Sequence, residues 1–230
     1  MTRDLIVEDI KIQLRRKNIK TLRLSVHPPD GEVRISVPNG VSDDLIIGFV
    51  ESKMEWIRLQ REKLSKTKID QPKEYLTGER HQFLGREYQL QVRTTSGRQR
   101  VKMEDDSLIL LVRDGHTREK RHKLLNEWYR DQLKATVPEY IEKWEKVMGV
   151  DVQAFGVKSM KTRWGTCNIR DRRIWINLKL ATRDESLLEY IVVHEMTHLL
   201  ERLHNDRFKS LMTSFIPNWR ELRKGLNGQK

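Results

Sequence analysis

The segment His194-Glu195-Met196-Thr197-His198 places two imidazoles four residues apart, with a carboxylate beside the first. On a helix, residues at that spacing are rotated by only about 40° from one another. Both rings then project from one face and can meet a common tetrahedral ion, for which imidazole nitrogen suits zinc. Glu195 can reach a water on that ion. This H-E-x-x-H spacing points to hydrolysis by a zinc-activated water with Glu195 as general base. His204, six residues beyond His198, is the expected third ligand, and Glu221 on a later helix is its competitor. A straight helix would carry His204 away from the pair, so the helix must end or bend between Leu200 and Leu203. Position 201, where a glycine would ease the turn, is Glu201. The turn is therefore expected around His204-Asn205-Asp206, whose side chains tolerate unusual backbone conformations.

The surrounding residues must hold this group rigidly. Thr182 and Glu185 form a candidate capping box for a helix that starts ahead of Leu187. Leu188, Ile191, Val192, Leu199 and Leu200 give that helix a broad apolar surface. Burying Glu195 and two imidazoles among such residues is costly unless a metal partners them. Ile174 to Leu180 alternates as a strand, and Ile174 to Leu178 is a candidate edge for pairing with an extended substrate. Before it lies Arg163-Trp164-Gly165-Thr166-Cys167. Arg163 either binds an anionic substrate group, steadies an oxyanion, or pairs structurally with a carboxylate. Trp164 reads as core packing. Cys167 reads as a buried thiol rather than a fourth ligand, since a catalytic zinc keeps an open position.

Taken together, Arg163 to Cys167, Asn177-Leu178, Val192 to His198, His204 and Phe208 resemble the YgjP-like metallopeptidases. That zincin group carries an R-W-G-[ST]-C motif, a Leu-Asn or similar pair on a strand, a V-V-H-E-x-x-H helix and a third histidine ahead of a phenylalanine. The N-terminal hairpin and the Tyr75–Tyr88 region fit the same family, so the resemblance spans most of the chain. It implies an α+β, zincin-like fold, a zinc ion held by His194, His198 and His204, Glu195 as base, and a peptide or protein substrate.

The rest of the chain reads as scaffold. Ile6 to Lys17, Thr21 to Val26 and Glu32 to Val37 alternate as strands, the last two joined by turn residues Pro28-Pro29-Asp30-Gly31. One helix capped by Ser42 is expected through Leu64. Strand character returns over Leu76–Thr95 and Leu108–Val112. A long helix is expected over Thr117–Met148, kinked or divided at Pro138. No internal repeat is visible. A boundary near Gly115 would separate a β-rich part, residues 1–115, from a metal-binding catalytic domain, residues 116–230. His27, His81, His116 and His122 show no ligand spacing and read as surface or turn residues.

Composition adds limits. Across 230 residues the formal net charge is +12, a field that attracts nucleic acid or other anions. It leaves open two alternatives to peptide cleavage: hydrolysis of nucleotides or other phosphoanhydrides, and a DNA-associated protein-processing or binding factor. The single cysteine excludes an internal disulfide. The acidic first ten residues do not read as a signal peptide, and the longest apolar runs, such as Leu45 to Val50, are too short to cross a bilayer. The expectation is a cytoplasmic protein with no membrane partner.

Overall fold

Ile10, Ile12 and Leu14 are buried while Lys11 is exposed, the period-two pattern of a half-covered strand. This strand belongs to the first of two compact units, Met1–Lys73 and Glu74–Lys230. The computed structural model describes residues 2–27, 30–66 and 73–228. In the first unit β1 (Thr2–Val7) pairs antiparallel with β2 (Ile10–Lys17), and β3 (Arg23–His27) with β4 (Glu32–Pro38). A parallel β2–β4 pair joins the two hairpins into the order β1-β2-β4-β3. Of the turn expected at 28–31, Pro28 and Pro29 lie outside the described residues; Gly31 takes φ +69°.

The single helix expected from Ser42 to Leu64 is two: α1 (Asp43–Glu51) and α2 (Met54–Lys66). The break has a local cause. Lys53 N–H bonds back only three residues, to the Val50 carbonyl, and the Ser52 hydroxyl takes the Phe49 carbonyl. Ser42 occupies the N-cap position without a side-chain cap bond. Ile46, Val50, Met54 and Ile57 close the unit's own core over Ile12, Val33 and Ile35.

The second unit begins with the same sheet plan. β5 (Arg80–Phe83), β6 (Arg86–Thr94), β7 (Arg100–Glu104) and β8 (Ser107–Val112) run in the order β5-β6-β8-β7, two hairpins joined by a parallel β6–β8 pair. Next come α3 (Arg118–Met148) and a three-stranded sheet of β9 (Ala154–Lys158), β10 (Gly165–Asn168) and β11 (Arg173–Asn177). A 3-10 turn (Leu178–Thr182) then leads to α4 (Glu185–Thr197), α5 (Asp206–Phe215) and α6 (Trp219–Gly228). The fold class is α+β. The boundary expected near Gly115 falls inside this unit, because β8 and α3 on either side of Gly115 contribute Leu108, Leu110, Leu125 and Tyr129 to one continuous core.

Pro138 does not divide α3 into separate elements; the helix runs unbroken from Arg118 to Met148, capped by Thr117 and ended by Gly149 at φ +66°. Pro138 is exposed, so the carbonyl it leaves without a helical donor lies on the solvent side. Pro138→Ala restores that bond. It is expected to raise stability by about 2 kcal/mol, the helix-interior gain less the loosened unfolded chain, and Tm by roughly 5 °C. Thermal denaturation checks this.

α4 is the element everything else serves. Leu187, Leu188, Tyr190, Ile191, Val192, Val193 and Met196 bury it on nearly every side. Its start is fixed by Asp184, whose carboxylate accepts from Ser186 N–H at 2.9 Å. The expected Thr182–Glu185 capping box does not form, because Thr182 is still in the 3-10 turn. The tip of the β5–β6 hairpin, Leu84-Gly85, takes positive φ at both residues (44° and 82°), as a two-residue type I′ turn requires. Leu84 N–H donates to the Ala181 carbonyl at 2.8 Å. A Cβ on Gly85 would lie 3.2 Å from Asp184 Cα, so glycine lets the hairpin seat directly on the head of α4. From α3, Trp144 Nε1 and Lys143 Nζ both donate to Glu189 Oε1, at 2.9 and 2.7 Å.

Candidate metal centre

His194 and His198 lie at the C-terminal end of α4, His198 being its C-cap. The chain leaves the helix there. Leu199 and Leu200 N–H bond back three residues, to the Met196 and Thr197 carbonyls, tightening the last turn. The Glu201 carboxylate accepts from Leu203 N–H at 3.1 Å, and the Glu201 carbonyl lies 3.2 Å from His198 Nδ1. The turn therefore starts at His198 and not at His204-Asn205-Asp206. Among the described residues it contains none with positive φ, which is why glutamate is accommodated at 201. Asn205 serves the next helix instead. Extended at φ −77°, it caps α5 by accepting from Phe208 N–H at 3.0 Å.

This geometry brings His204 back to the pair. His204 Nε2 stands 3.0 Å from His194 Nε2, and one ligand atom from each of His194, His198 and His204 lies within 4.8 Å of the others. A tetrahedral zinc with bonds near 2.0–2.1 Å needs ring nitrogens about 3.4 Å apart, so small adjustments close the set. Phe208, almost fully buried, floors the site. Its ring centroid is 5.0, 4.8 and 4.7 Å from those of His194, His198 and His204. Burial pushes His194 down to about 3 and holds His198 and His204 below the ordinary imidazole range. Neutral rings with nitrogens aimed at one point fit a shared cation. Glu221 is exposed on α6 and is not part of this group, which removes it as the competing ligand.

Glu195 is buried, with burial pushing its carboxyl up to about 8 against the opposing charge of Arg163. Room for it comes from β10. A Cβ at Gly165 would lie 2.6 Å from Glu195 Oε1 and 2.7 Å from Cγ. The segment Arg163 to Cys167 is thus partly a strand laid over the general-base candidate. It also changes the edge. β11 lies in the middle of its sheet, between β10 and β9, so the expected edge at Ile174–Leu178 is already paired, and β10 carries the free edge beside the histidines.

Asn177, which sequence reasoning left without a role, ties this strand down. Nearly fully buried, it donates from Nδ2 to the Arg163 and Met160 carbonyls (2.7 and 3.0 Å). Its Oδ1 accepts from Met160 and Lys179 N–H. A polar residue ending a run of buried apolar ones was the available signal. Trp164 packs against the core, with the Arg183 guanidinium 5.7 Å over its ring. Cys167 is a half-buried thiol that burial and Glu195 push up to about 11; it stays protonated and outside the histidine group. His81 corrects its surface reading: it is buried and lies 3.2 Å from Glu79.

The three histidines, Glu195, Gly165 and Cys167 line a cleft of about 750 Å³ that also receives Arg163, Arg202, Arg223, Tyr190 and Leu226. The sequence profile of the YgjP-like metallopeptidase domain matches residues 20–229.

The chain belongs to the YgjP-like metallopeptidases.

Membership brings hydrolase chemistry and a metal ion, and the three histidines are a group able to hold one. A zincin-like arrangement fits this YgjP-like chain. No curated protein matches it. Among solved structures, the metallopeptidase zymogen of Pyrococcus abyssi abylysin aligns at 17% identity and a TM-score of 0.37, covering 40% of this chain and 91% of that one. No described helix is long and apolar enough to cross a membrane.

Proposed function

We propose that this protein is a zinc-dependent metallopeptidase in which His194, His198 and His204 hold the metal and Glu195 is the general base. The observation that carries this reading is the convergence of three neutral imidazoles beside one buried carboxyl, which burial pushes up to about 8. When bound, zinc supplies a Lewis acid that acidifies water and polarises a carbonyl. The chain supplies the rest. Glu195 takes the proton of the attacking water and returns it to the leaving nitrogen, a role suited to a carboxyl whose hold on a proton is strengthened by burial. The free edge of β10 offers backbone donors and acceptors to an extended peptide. The Glu201 carbonyl, 3.2 Å from His198 Nδ1, would hold that ring and leave Nε2 free to ligate a metal. Arg163 sits at the mouth of the site to bind substrate. A lone cysteine kept as a thiol suits the cytoplasm.

Metal analysis of the purified protein, alongside hydrolysis of casein-like peptides with and without chelator, tests the reading. About one zinc per chain and chelator-sensitive cleavage are expected; a metal-free, inactive preparation that zinc does not restore removes it. The ligand set has its own check. His204→Ala is expected to weaken zinc binding by more than about a hundredfold, while Glu221→Ala leaves it unchanged. Competition against a chromogenic chelator reads both.

One observation favours a second reading. The cleft lining carries three guanidinium groups and a single carboxyl, which would also suit a nucleoside triphosphate or other phosphoanhydride. Release of phosphate or pyrophosphate from triphosphates without any peptide cleavage would select it. The nucleic-acid reading rests on overall charge alone, and several basic residues are already paired, as in Arg16–Asp43, Arg118–Glu74 and Arg172–Asp151.

A further inference from the structure

Three separate elements each deliver a guanidinium to the metal cleft. Arg163 precedes β10, Arg202 lies in the turn between His198 and His204, and Arg223 is on α6. All three are exposed, and among the described residues none has a carboxylate within 4.0 Å. Some arginines elsewhere are paired, as Arg58 is with Glu8, Arg118 with Glu74 and Arg207 with Glu201, and others such as Arg86 and Arg100 are not, among the described residues; what sets these three apart is that they share one cleft with the histidines. The cleft arginines also sit where their charge is felt. Arg223 acts on His194 and His204, and Arg163 acts on Glu195 from the strand side.

Such a placement works against the metal. Three neutral imidazoles leave a divalent ion with its full charge, and nearby cations repel it. Nothing in the lining offsets this except Glu195. Arginines held unpaired beside a cation are explained by an anion that arrives with the substrate. Guanidinium groups grip carboxylates in a bidentate fork, and those on the β10 side and the α6 side address different positions along a bound chain.

We infer that the cleft selects peptides carrying aspartate or glutamate on both sides of the scissile bond, gripped by Arg163 on the Glu195 side and by Arg223, with Arg202, on the His204 side. This rests on the peptidase reading of the site.

The test uses twin peptides differing only in Glu against Gln at the flanking positions. With zinc-loaded wild-type protein, kcat/KM is expected to favour the Glu twin by at least about tenfold, and the preference to shrink as salt is raised. Zinc-loaded Glu195→Gln, followed by calorimetry, is expected to bind the Glu twin more tightly in the same sense. Arg223→Glu is expected to reverse the order, favouring a Lys twin over the Glu twin. Circular dichroism and zinc content show whether that variant is folded. Equal cleavage and equal binding of the wild-type twins overturn the proposal without any variant, as does a Glu preference that survives Arg223→Glu in folded protein. Charge-selective binding to Glu195→Gln with no peptide cleaved by wild type supports the acidic selection and removes the peptidase reading.

Discussion

Glu195→Gln is expected to keep its zinc and lose turnover by about a thousandfold, within the range that general-base removal produces. The amide has nearly the shape of the carboxylate, so it fits the space under Gly165 and leaves the histidines undisturbed. What it lacks is a site for the proton of the attacking water. The check is kcat on one peptide beside the zinc content of the same preparation, and turnover at the wild-type level would remove Glu195 from the mechanism. A second readout comes from the metal-free proteins. Burial pushes the folded Glu195 up to about 8, from an ordinary value of 4.5. The folded state then holds a proton that the unfolded state has released, so stability falls as pH rises from 4.5 to 8. Glutamine has no such dependence. In chelator, the stability of the variant relative to wild type is expected to grow over that interval and to level off above it.

Gly165→Ala should damage the same step by a different route. The added methyl would overlap Glu195, from Oε1 at 2.6 Å to the carboxyl carbon at 2.9 Å. Backbone on one side and a fully packed helix on the other leave little give. Displacing the base by an ångström is expected to lower kcat about a hundredfold, and the crowding to cost about 1–3 kcal/mol of stability. Zinc binding should persist, because the atoms nearest the added methyl all belong to Glu195 and none to the histidines. Stopped-assay kinetics and urea melts report the two effects. Adding Glu195→Asp shortens the crowded side chain, so the double variant should recover stability but not activity. An alanine variant with full activity would show that β10 yields, and that Gly165 does not set the position of the base.

Residue type and spacing reveal His194, Glu195 and His198 because one helix carries all three, and helical geometry is local. The strands at Ile10–Lys17 and Arg23–His27 are legible for the same reason, their alternation being written in consecutive residues, and Ser107–Val112 is legible as a short apolar run. What spacing does not convey is closure through tertiary contact. The path from His198 to His204 depends on the Glu201 carboxylate capping Leu203, a bond with no composition cue. Strand β10 is short and holds glycine, so it reads as a loop until β11 is seen to pair with it. The place of β11 between two partners follows from a parallel crossover to β9, and alternation in one strand is silent about its neighbours. Asp184 outcompetes Thr182 as the cap because Leu84 and Gly85, nearly a hundred residues away, press on that point.

The hairpin-pair plan that both units share has a bearing on how the chain reaches its native state. Antiparallel partners joined by a tight turn meet within about 1–10 μs. The central parallel pairs, Ile12 with Val33 and Gln89 with Ser107, must wait for a longer stretch of chain to close. Pulse-labelled amides in β5 and β6 should therefore gain protection before those bridging β6 to β8, and the reverse order would contradict this sequence of events. The tip that α4 rests on would then be among the earliest pieces to form, so the ligand-bearing helix finds its perch before any ion needs to be present.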